Sequence, residues 1–216
     1  MTDLIAAFRP KWAQLIAQVG GDPSSADKVY ARLVAAYTDA SRHYHDFSHV
    51  VWMLNLLDEM ALVLENRAAV QLAIWFHDAV YEVGSEVDNE LASADFSAEQ
   101  LTLLGLPTDL IATVHALILD TKHATEPASW DGRVLVDIDL SQLGGSAEQF
   151  QRDTANIRKE YAIVPDAQFW SGRQKVLQQF LNRDKIYHTA PLFTRFEAIA
   201  RHNLSTSIKQ IDSRIG

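Results

Sequence analysis

Apolar residues recur at helical spacing along nearly the whole chain. Leu4, Ile5, Phe8, Trp12, Leu15, Ile16 and Val19 make one apolar stripe. Gly20-Gly21 closes that helix, and Asp22-Pro23 opens a second one carrying Val29, Leu33, Val34 and Tyr37. A polar, histidine-rich stretch from Ser41 to Ser48 follows, and Val50, Val51, Leu54 and Leu57 begin a third helix. Asn66 reads as an N-cap. The run AAVQLAIWFHDAVY (68–81) is apolar on most sides and predicts a central helix ended by the turn Val83-Gly84-Ser85. Asp88 to Leu104 is amphipathic and closed by Gly105, and Pro107-Thr108 starts a helix reaching about Leu119. Residues 120–132 read as a polar loop, after which Val134-Leu135-Val136 leads into DIDLSQLGG. Three helical patterns finish the chain, near 146–161, 166–183 and 191–204. No long alternating segment and no internal repeat interrupts this. The prediction is all-α: a single helical domain over 1–216, with a core roughly at 25–185 and the terminal helices packed on it.

Composition narrows the picture. With 216 residues, 48% of them hydrophobic, the chain can bury a sizeable core without a metal or disulfide to hold it. The absence of cysteine removes disulfides, thiolate zinc sites and cysteine nucleophiles. A formal charge of −9 argues against a broad nucleic-acid-binding face, which needs clustered Lys and Arg. It is compatible with a small anionic substrate in a locally positive pocket. Asp3, Arg9 and Pro10 break the N-terminal apolar run, and no apolar stretch is long enough to span a bilayer. The expectation is a cytoplasmic protein with no membrane partner.

The chemistry concentrates in a few places. His43, His45 and His49 fall within seven residues, and His77 is followed by Asp78. A lone histidine is more often a surface or core residue than a ligand. The His77-Asp78 pair is different, because apolar turns flank it and burial of an ionisable pair needs a partner. A metal is one such partner; a buried ion pair or a capping role is another. Imidazole and carboxylate suit divalent Mn, Fe, Co, Ni, Zn or Mg. His49 upstream and Asp137 and Asp139 downstream offer further ligands, with one aspartate free to cap a helix while the other meets the metal.

The order His49, His77-Asp78 and then an aspartate in DIDLSQLG resembles the HD superfamily of metal-dependent phosphohydrolases. The segments RHYHDFSHV, FHDAVYE, DNELASA, IRKEYAIVPD, FWSGRQKVLQQFLNRDKIY and ARHNL are similar to one branch of it. The resemblance implies a helical fold in which His49, His77, Asp78 and Asp139 hold one or two divalent ions, Asp139 being preferred to Asp137. It implies hydrolysis of a phosphate ester, a nucleotide or another small phosphorylated metabolite, by water that the ion activates. Arg42 is then expected at a phosphoryl oxygen, and Glu82 or Glu90 as general acid or base. Glu82 is assigned because it would share a helix face with Asp78. His45 and His123 are expected at the substrate, His45 on one helix face with His49. Two other readings share the ligand set: a metal-holding nucleotide-binding regulator, and a di-iron oxidative enzyme drawing on His115 and His123. A homodimer is left open.

Overall fold

Ten α-helices carry the chain in the computed structural model, which describes residues 1–215, with side chains through Arg214; residue 216 lies outside the described residues. They are α1 (Thr2–Gln18), α2 (Pro23–Tyr37), α3 (Phe47–Met60), α4 (Arg67–Phe76) and α5 (Asn89–Leu103). Then come α6 (Thr108–Asp120), α7 (Trp130–Asp139), a 3-10 turn (Leu140–Gly144), α8 (Ala147–Glu160), α9 (Asp166–Leu181) and α10 (Ala190–Ile215). The fold is all-α, with no strand among the described residues. Among the described residues no helix is long and apolar enough to cross a membrane.

Local signals set most boundaries. Asp22 caps α2 by accepting from the Ser24 N–H at 3.0 Å, and Asn66 caps α4 by accepting from Ala69 at 3.0 Å. α4 is buried nearly all round, and Trp75 near its end ties it to three other helices. The Trp75 ring lies 5.6 Å from Trp12 of α1, 5.9 Å from Tyr30 of α2 and 5.9 Å from Phe47 of α3. Asp131 of α7 reaches back to the start of α4, accepting from the N–H groups of Glu65 and Asn66 at 2.9 and 2.7 Å. The residues that follow Trp75 are therefore held from both ends of α4.

Three expectations change. The central helix does not run to Tyr81 but ends at Phe76, with His77 and Asp78 in the turn beyond it. Tertiary partners take the backbone groups that further helix would have paired. The Asp78 N–H donates to the Tyr37 hydroxyl at 3.2 Å, the Val80 N–H donates to Ser93 Oγ at 3.0 Å, and Arg42 donates to the carbonyls of Asp78 and Ala79. Second, α7 begins inside the expected 120–132 loop, because Ser129 Oγ accepts from the Gly132 N–H at 2.9 Å and caps it. Third, α10 continues to Ile215, well beyond the expected end at 204. The buried core draws on residues from Phe8 to Ile211.

Candidate metal centre

Three ligand-type side chains converge from α3, the turn that ends α4, and α7. One atom each of His49, His77 and Asp139 lies within 4.8 Å of the others. His49 Nε2 is 3.1 Å and His77 Nε2 is 3.7 Å from the same oxygen, Asp139 Oδ1. Each element delivers its residue for a local reason. Asp46 caps α3 and puts His49 in its first turn. The early end of α4 turns His77 inward at 1% exposure. Asp139 is the last residue of α7, where the chain tightens into the 3-10 turn.

The far nitrogen of each ring fixes its tautomer. His49 Nδ1 donates to Gln142 Oε1 at 2.9 Å, and His77 Nδ1 donates to the Ile74 carbonyl at 3.0 Å. Both imidazoles therefore present Nε2 to the centre. His77 Nε2 is buried without a hydrogen-bond partner. Asp78 Oδ2 is only 3.0 Å from it, but out of alignment for a hydrogen bond. His77 Nε2 thus faces two carboxylate oxygens and hydrogen-bonds to neither, while His49 Nε2 lies within hydrogen-bond reach of Asp139 Oδ1. The donor set of two imidazoles and a carboxylate fits a divalent ion of the borderline to hard kind.

With no ion at the centre, the positive charge facing the carboxylates falls to the imidazoles. Burial works against a charged His77, but Asp78 and then Asp139 outweigh it and raise the imidazole from 6.5 to about 9. Burial would raise Asp139, yet the hydrogen bonds from His123 and His49 and the charge of His77 hold it well below the ordinary carboxylate range. Asp78 is likewise held low, chiefly by His77 against its own burial. The pocket is built to keep its carboxylates ionised beside a positive charge.

Of the other expected residues, His123 and Glu90 reach the cavity above the centre, and so does His45. His123 Nε2 contacts Asp139 Oδ2 at 2.8 Å, from a backbone with φ of 54°. Glu90 lines the cavity, with its carboxyl raised by burial and by Asp78 and Asp88. His45 precedes the cap of α3, so it shares no helix face with His49. It stacks on Tyr81 with centroids 4.2 Å apart. Asp137 turns away from the centre, accepting from the N–H groups of His188 and Thr189 at 2.7 Å each, just ahead of α10. His115 spends Nε2 on Asp95 at 3.0 Å.

Two expectations do not fit their places. Glu82 is exposed and lies beyond the end of α4, so the shared face with Asp78 does not exist; its N–H donates to Asn89 Oδ1 at 2.9 Å. Arg42 does not line the cavity. Its guanidinium is spent on three backbone carbonyls, those of His45 at 2.9 Å, Asp78 at 2.8 Å and Ala79 at 3.2 Å. It braces the two turns that carry His45 and Asp78.

Sequence reasoning missed Glu160. Its Oε1 accepts from the N–H groups of His43, Tyr44 and His45 at 2.8, 2.7 and 2.8 Å, and its Oε2 meets His45 Nδ1 at 2.7 Å. One buried carboxylate thus shapes the approach to the centre. The available signal was an acidic residue closing α8, where the helix dipole disfavours it. Gln142 and Arg173 were also missed.

The cavity over the centre has a volume of about 560 Å³. Asp78, Asn89, Glu90, His123 and Asp139 line its polar floor. Ile157, Val164, Phe169, Val176 and Phe180 line an apolar wall from α8, α9 and the loop between them. Comparison with family models, curated proteins and solved structures returns no match.

Proposed function

We propose that the chain is a metal-dependent hydrolase of a small phosphate ester, of the HD type its motifs resemble. The observation that carries this reading is the buried, unpartnered His77 Nε2 facing Asp139 beneath a cavity of substrate size. His49, His77 and Asp139 would hold the ion, with Asp78 adjoining through His77. When bound, a divalent ion supplies Lewis acidity and an activated water.

The chain's own residues supply the rest. Gln142 and the Ile74 carbonyl keep both imidazoles in the ligating tautomer. His123, on the open side of Asp139, is placed to meet the ester. Glu90 retains a proton to higher pH than an ordinary glutamate, so it is the cavity's candidate donor to the leaving oxygen. The core is large and continuous without an ion, so the site is free to serve chemistry rather than folding.

The test pairs metal analysis of protein purified without chelator with a screen of phosphate mono- and diesters. Metal-dependent phosphate release is expected, abolished by chelation and restored by Mn, Co or Ni. Tight nucleotide binding with no release from any ester would replace this reading with that of a binding module. Oxygen consumption by an iron-loaded protein would replace it with oxidative chemistry.

A further inference from the structure

Arg173 of α9 is the one lysine or arginine among the described residues lining the cavity. Its Nε is buried without a hydrogen-bond partner, and it makes no ion pair among the described residues. Other partly buried arginines are committed. Arg42 holds three carbonyls, Arg158 holds the Tyr161 and Val164 carbonyls, Arg183 donates to the His123 carbonyl, and Arg201 pairs with Glu197. Arg173 is half-buried, and its Nε is out of water without a partner, which is costly. Burial pulls Arg173 below the ordinary arginine value, with Tyr44, Tyr161, Tyr81 and Asp153 acting against it.

Arg173 shares the cavity lining with Tyr44 and Asp139. The Tyr44 ring lies 5.4 Å from that of His49. On Arg173's side of the cavity stands the apolar wall: Phe169 and Val176 sit on the same helix, and Ile157, Val164 and Phe180 complete it. The next residue back, Gly172, faces open space, with nothing within 4 Å of where a Cβ would sit.

We propose that Arg173 binds the substrate's phosphoryl anion and that the adjoining apolar wall selects an ester of an aromatic or alkyl alcohol over one of a polar, sugar-like alcohol. This rests on the phosphohydrolase reading for the identity of the anion. The Arg173 guanidinium offers a planar fork of N–H groups that matches two phosphoryl oxygens. The five apolar side chains of the wall, with only Tyr161 and Gln168 as polar neighbours on that side, leave most of a hydroxylated alcohol part unpaired and reward one that buries apolar surface.

Phosphonates test this without turnover, because their C–P bond is not the scissile ester. Calorimetric titration of manganese-loaded protein compares phenylphosphonate with 2-hydroxyethylphosphonate. Phenylphosphonate is expected to bind about tenfold tighter or better. Arg173→Met is expected to weaken both by about ten- to a hundredfold with manganese content unchanged, and Arg173→Lys to recover part of the loss. Equal affinity for the two ligands overturns the apolar selection, and wild-type affinity in Arg173→Met overturns the anion site. If the Met variant loses its helical signal, phenylglyoxal labelling of the wild type decides. Phenylphosphonate is expected to protect Arg173, and no protection overturns the proposal. The two readings fail separately. Arg173-dependent binding with no ester hydrolysed removes the hydrolase reading and leaves this one. Ester hydrolysis with Kd and KM untouched by Arg173→Met does the reverse.

Discussion

Glu160 concentrates more of the site's geometry than any residue outside the ligand trio. Three N–H groups and one imidazole meet a carboxylate whose side chain is 1% exposed. Glu160→Gln keeps an acceptor oxygen but loses the charge, and should cost roughly 1–3 kcal/mol of stability in denaturant titrations. The pH dependence has a definite sign. Burial raises Glu160, but the His45 hydrogen bond and charge and the Tyr44 and His43 N–H groups outweigh it, so the folded pKa lies below the ordinary 4.5. Its contribution is present above the unfolded pKa and lost as pH falls through the folded one. The acid limb of wild-type stability should therefore be steeper than that of Glu160→Gln. The two glutamates once equal as acid–base candidates now separate. Glu82→Ala, at an exposed site off the cavity, should leave turnover unchanged, whereas Glu90→Gln should lower kcat by about 10²–10⁴. A steady-state comparison of the two variants checks this, and loss of activity in Glu82→Ala would reverse the assignment.

At the scale of elements, the centre depends on where helices stop. Periodicity identified α1 to α6 because each stripe is long and its caps are chemically plain, as Asp22 and Asn66 are. It overran α4, because AIWFHDAV continues a helical pattern that only Tyr37, Ser93 and Arg42 interrupt. Those three partners come from distant sequence, so no local rule carries them. It missed the start of α7 for a different reason, since Pro127 and Asp131-Gly132 read as loop although Ser129 caps a helix there. The His49, His77 and Asp139 constellation was legible through the resemblance; residue type and order alone left Asp137 and Asp139 both open. Arg173 and Glu160 were not legible, since a guanidinium whose Nε is buried without a partner and a carboxylate gathering N–H groups are tertiary facts. The 3-10 turn after α7 also carries weight. A Cβ on Gly144 would sit 2.7 Å from the Phe196 Cβ and 3.0 Å from its backbone carbonyl oxygen, so the turn and α10 cannot part slightly without moving Gln142. Gly144→Ala should destabilise the fold by about 1–3 kcal/mol and also weaken metal binding through His49. Thermal unfolding and metal titration together check it; a lower melting temperature with unchanged metal affinity would uncouple the turn from the centre.

For the whole molecule, the separation of core and centre is the main physical statement. The Trp12, Tyr30, Phe47 and Trp75 cluster packs α1 to α4 without help from any ligand atom of the centre. The metal-free protein should therefore be folded, and His77→Ala should keep its helical circular dichroism while losing bound metal. Saturating metal should add stability by mass action, about 2.7 kcal/mol at a hundredfold excess over Kd, and add none in His77→Ala. The central claim is that His49, His77 and Asp139 share one cation. Anomalous diffraction from crystals grown with Mn²⁺ tests it most directly. The account predicts a single strong peak bonded to His49 Nε2, His77 Nε2 and a carboxylate oxygen of Asp139, at about 2.0–2.3 Å from each. A map with no peak among these three side chains, or with His77 Nε2 turned to a protein acceptor instead, would contradict it.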